Sequence, residues 1–136
     1  MKKILMSLMA VTVMALAATM TSCKQEVESQ IFDLSFDGEA VESGDRMIYQ
    51  NTYEPIFIEE IDKVAKQAAP DSRTFMVNTS EDQAKADVKK AFDAAAEKAQ
   101  AKAGKPSTLK GLKVILMYSN VTKTKTPVEF ATYTFE

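Results

Sequence analysis

Histidine is absent from the chain and cysteine occurs once, at Cys23, so few residues here can begin chemistry. Losing histidine removes the commonest general acid or base and the commonest metal ligand together. Carboxylates offer the next candidates. Asp33-Leu34-Ser35-Phe36-Asp37-Gly38 places oxygen ligands at positions one, three and five and glycine at six, as a calcium loop asks. Position twelve, where a bidentate glutamate should close the shell, is Gly44, and Glu39, Glu42 and Asp45 lie nearby but out of register. Calcium binding through Asp33, Asp37 and Glu39 is therefore the secondary expectation. A strand ending in an Asp-Gly turn is the primary one.

Catalytic constellations are missing. The sequence holds no Gly-x-Ser-x-Gly elbow, phosphate-cradling glycine loop or dinucleotide fingerprint. Glu59 and Glu60 are adjacent, but neighbours on a helix point about 100° apart and make no dyad. Met47, Met76 and Met117 fall in separate segments and read as core filler rather than a soft-metal site. Tyr49 and Tyr53 flank a polar stretch. They offer an aromatic contact surface for a sugar or peptide, or else cap a core with their hydroxyls in water. The expectation is a chain that is not an enzyme and carries no cofactor.

Cys23 has a different kind of neighbourhood. Lys2 and Lys3 precede an apolar run, and Met20-Thr21-Ser22 puts small residues ahead of the thiol. That is the layout of a removable export signal. The segment Met20-Thr21-Ser22-Cys23 resembles the lipobox of bacterial lipoproteins. The resemblance implies a signal peptide over residues 1–22, acylation at Cys23, and a short tether over residues 23–28. An uncleaved membrane helix is the rival, since the uncharged span Ile4–Ser22 has 19 residues and about 17–25 suffice to cross a bilayer. Against it, the span is rich in Ala, Thr and Met and ends without a basic stop-transfer cluster. One acyl chain anchors only marginally, and lipoproteins of this family carry several. Charged residues after the cysteine also resemble a signal for lipoprotein export to the cell surface, so the outer membrane, on its periplasmic or surface face, is the expected location.

Residues 29–136 remain for a single domain. With Lys2 and Lys3 removed from the 17 basic residues, the mature chain sets 15 against 19 acidic ones, a charge of about −4. This disfavours nucleic acid. Only Arg46 and Arg73 provide forked guanidinium contacts, so a dedicated phosphate clamp is not expected. The one cysteine is taken by the anchor, and the fold must rest on its hydrophobic core.

Periodicity supplies the elements. Ser29–Phe36 alternates with Phe32, Leu34 and Phe36 on one face, and Arg46–Tyr49 reads as a short returning edge strand. Pro55 suits a helix start, and Phe57, Ile61, Val64, Ala65 and Ala68 form an apolar stripe before Pro70. Arg73–Asn78 alternates again. Ser80-Glu81-Asp82-Gln83 is a capping box opening a helix to Ala103, with Phe92 as its main anchor and Gly104 and Pro106 closing it. Leu112–Tyr118 reads as a central strand and Val128–Phe135 as the last one, joined through Thr122-Lys123-Thr124-Lys125-Thr126, a solvated hairpin end.

The expected fold is α+β: a two-layer α/β sandwich, with a mixed four- or five-stranded sheet and two helices mainly on one face. Its open face should show Thr, Lys and Tyr. The alternative is a ferredoxin-like arrangement. The functional expectation is a small membrane-anchored lipoprotein acting as a non-catalytic binding or accessory module of the cell envelope. Its partners would be the membrane, through the lipid anchor, and a protein or glycan. The rival is a calcium-binding module or small envelope enzyme using Asp33–Asp45.

Overall fold

The computed structural model describes residues 28–65 and 73–136. The signal, Cys23 and the tether up to Val27, together with Ala68 and Pro70, lie outside the described residues. Four strands, β1 (Glu28–Asp37), β2 (Thr74–Thr79), β3 (Lys113–Asn120) and β4 (Val128–Thr134), form one sheet in the order β2-β1-β3-β4. Three helices accompany them: α1 (Ser43–Ile48), α2 (Glu54–Ala65) and α3 (Glu81–Ala103). A π-helical turn, Tyr49–Tyr53, joins α1 to α2 without a break. The two-layer α+β sandwich is what the alternation and stripes require.

Every neighbouring pair of strands is antiparallel, which corrects the mixed sheet expected above. β2 begins beside the second half of β1, with Thr74 opposite Asp33, and so runs back along it. β2 and β3 therefore point the same way on either side of β1, with α3 as the crossover between them. A ferredoxin-like fold shares this split unit and the two layers; here two strands follow α3 and one lies between the helices.

Arg46–Tyr49 is helix, not an edge strand. The Arg46 guanidinium donates to the carbonyls of Gly38 at 2.8 Å and Val41 at 3.1 Å, tying the turn after β1 to the first turn of α1. Tyr49 then points inward, its ring 4.9 Å from Phe36. Four residues with both aromatic and aliphatic side chains satisfy either period, and this tertiary contact decides which one applies.

Between sheet and helices lies a core of Phe32, Leu34, Phe75, Val114 and Leu116 from the strands, facing Phe57, Ile61, Val88 and Phe92 from the helices. Phe92 meets Phe57 at 5.3 Å between ring centres, fastening α3 to α2. Ala84, Ala95 and Ala99 are fully buried, so α3 lies close against the sheet along most of its length. Ser80 accepts from the Gln83 amide at 3.3 Å to start it, and Gly104 ends it at φ 83°, a conformation side chains avoid. Tyr118 and Tyr133 also face inward, so the open face shows Ser, Thr, Asp, Ile and Met in place of the expected tyrosines. Among the described residues no helix is long and apolar enough to cross a membrane.

Candidate functional site

The π-helical turn sets up an unusual polar arrangement in the core. Such turns are rare, occur mostly as interruptions of α-helices, and are frequent at functional sites. Here the Glu54 amide donates to the Tyr49 carbonyl, so these two residues sit five apart on the same face. Both are buried, Tyr49 completely and Glu54 to 1% exposure. Buried polar groups are almost always hydrogen-bonded. Yet Tyr49 Oη and Glu54 Oε2 are both without a partner among the described residues.

Arg73 satisfies only half of Glu54. Its Nε, at 2.7 Å, and its terminal NH2, at 2.6 Å, both reach Oε1, leaving Oε2 unused. This hydrogen bond and the carboxylate's charge raise the guanidinium pKa. Burial pushes the Tyr49 hydroxyl pKa well up, the Glu54 charge adds to that, and Arg73 opposes it. The two orphaned atoms thus belong to one electrostatic unit. Outside it opens a cleft of about 680 Å³ lined by Gln50, Glu54, Pro55, Ile58, Glu59, Asp62 and Arg73. Three carboxylates and one guanidinium give it an acidic lining, with hydrocarbon from Pro55 and Ile58.

The sequence-derived candidates fare differently. Asp33 accepts from the Thr74 hydroxyl at 2.7 Å across two strands, and Asp37 accepts from the Glu39 amide at 3.0 Å inside its own turn. Their oxygens serve the fold. Among the described residues no three or more of His, Cys, Asp and Glu could together hold a metal ion, so the segment Asp33–Asp45 does not assemble the calcium shell its spacing hinted at. Tyr49 is no surface aromatic: it is core, packed on Phe36 and Phe135. Tyr53 is half-buried against Phe135 at 6.0 Å. The tyrosine pair therefore offers no open platform. Cys23 lies outside the described residues.

Glu54, Gln50, Glu59, Asp62 and Arg73 were not singled out as a site by sequence. The available signal was small: a glutamate directly before a helix-starting proline, and one of only two arginines. Compared with known proteins, the chain matches no family model, no curated protein and no solved structure.

Proposed function

We propose that this protein is a lipid-anchored, non-catalytic binding module of the bacterial cell envelope, held at the outer membrane through acyl chains on Cys23, and that it takes its ligand in the Glu54–Arg73 cleft. The leader and the Met20-Thr21-Ser22-Cys23 segment support the anchorage. One observation carries the binding reading: a carboxylate sealed in the core, with one oxygen unpaired, at the base of the acidic cleft. An unsatisfied buried acceptor costs about 1–3 kcal/mol, and a donor brought by a ligand recovers it. The lining selects for a basic group, such as a lysine or arginine side chain of a peptide, whose stem would lie on Pro55 and Ile58. Oε2 is closed to water in the unliganded protein, so the incoming cation reaches it by displacing the half-exposed Arg73 side chain.

Titrating the acylated protein in detergent micelles with trilysine tests this. Backbone amide resonances of Gln50, Ile58 and Asp62 should shift with trilysine and not with triglutamate, and Glu54→Gln should abolish the shift. Equal responses to both peptides, or an undiminished response in Glu54→Gln, would contradict the assignment.

A further inference from the structure

We infer that the β3–β4 hairpin, Val121–Pro127, is a second membrane contact, seated on the anionic headgroups of the leaflet that holds the acyl chains. The inference rests on the anchored reading above. Cys23 and Glu28 are five residues apart, and an extended chain covers at most about 3.6 Å per residue. The first residue of β1 is therefore held within roughly 18 Å of the anchor whatever path the tether takes.

Strand register places the hairpin at that same end. Gln30 lies opposite Asn120, so Glu28, two positions earlier, is level with the residues just beyond Asn120. Buried side chains make this junction stiff. Gln30 Oε1 accepts from Asn120 Nδ2 and from the Tyr118 hydroxyl, each at 2.6 Å. Asn120 Oδ1 in turn accepts from the Thr122 amide and hydroxyl at 2.7 Å, and the Asn120 amide donates to the Thr124 carbonyl at 2.7 Å. The tether's attachment point and the hairpin are thus joined through one hydrogen-bonded unit, and the loop moves with the strand that the anchor holds.

The chemistry of the hairpin fits a headgroup layer. Lys123 and Lys125 are both exposed, and neither ammonium enters an ion pair among the described residues. Val121 and Val128, 58% and 47% exposed, flank them as two of the few large apolar side chains left in solvent. On the hairpin side of β1 the nearest acid is Glu129, which follows Val128 and lies 3.9 Å from Lys113. On the other side Glu81 and Asp82 start α3 directly after edge strand β2, and Glu81 is already paired with Lys85 at 2.7 Å. Glu28 lies between, on β1 itself. An anionic leaflet therefore draws the hairpin edge down and lifts the α3 start, giving the module one orientation. A lysine near such a surface contributes about fivefold, so the pair favours the hairpin-down orientation by about 25-fold.

The experiment uses the acylated protein purified from its host, with its acyl mass verified, in vesicles doped with a headgroup-nitroxide lipid. Because Cys23 is the chain's one cysteine and its sulfur is acylated, Thr126→Cys or Lys110→Cys introduces a single free thiol for a fluorophore, at the hairpin and at the opposite end of the sheet. In phosphatidylglycerol vesicles quenching should be much stronger at position 126 than at 110. The difference should collapse in phosphatidylcholine, and also when Lys123→Glu and Lys125→Glu are added. Equal quenching at the two positions, or a difference indifferent to both changes, overturns the hairpin contact while leaving the anchor standing. An unmodified Cys23 overturns the anchor and the hairpin contact with it.

Discussion

Glu54 and Arg73 form an unequal pair. The Glu54 side chain is 1% exposed and the Arg73 side chain 52%, so removing one partner is not equivalent to removing the other. Arg73→Met strands a buried charge and should cost about 3 kcal/mol or more. Glu54→Gln leaves a cation already half in water and should cost about 1 kcal/mol or less. Urea midpoints at unchanged slope measure both; equal losses would contradict the geometry. Glu60 carries a pH dependence of its own. Hydrogen bonds from Lys98 at 2.6 Å and Lys63 at 3.0 Å hold its carboxyl below the ordinary 4.5. Because the folded value is the lowered one, the stabilisation is complete above about 4.5 and is lost as pH falls through the lowered value. Thermal midpoints of wild type and Glu60→Gln should therefore converge in acid, and a constant gap would count against it. The two pairings between elements were not legible in sequence, since Glu54 and Arg73 are 19 residues apart and Glu60 and Lys98 are 38 apart, whereas Glu60 and Lys63 are three apart on one helix. Residue types name what can pair; only the fold brings partners together.

At the scale of the element, the helix α3 was the most legible part of the chain. Its capping serine, alanine-rich stripe and closing glycine agree with one another, and the structure ends it at Ala103 as expected. The same stripe makes a packing prediction. Ala95 is fully buried under the sheet while Ala86 is exposed. Ala95→Leu should cost about 1–3 kcal/mol by overpacking, and Ala86→Leu within about 0.5 kcal/mol of nothing. Denaturant titration of the two variants would show it, and similar midpoints would mean the helix does not lie as close as described. Arg46–Tyr49 failed as a strand because its alternation is too short to outweigh the pull of Tyr49 onto Phe36 and Phe135. The π-helical turn left no mark in sequence at all: it is the extra residue needed to place both Tyr49 and Phe57 in one core. The direction of β2 was equally unreadable, since alternation sets which face is buried and not which way the strand runs.

For the whole molecule, the proposed address and the proposed partner rest on different kinds of pattern. The proposed export signal rests on a contiguous stretch of residue types, whereas the acidic cleft is assembled from the π-helical turn, α2 and the residue that leads into β2. In the proposed arrangement the two meet: a module tethered at the start of β1 would hold its hairpin end toward the membrane and the opposite end of the sheet outward. Everything in that geometry depends on the sulfur of Cys23. Intact-mass analysis of the protein extracted from its own host's membranes reads it directly. The anchored reading predicts a chain beginning at Cys23, lacking residues 1–22 and heavier by its acyl chains; a chain that keeps Met1 and a free thiol would contradict it.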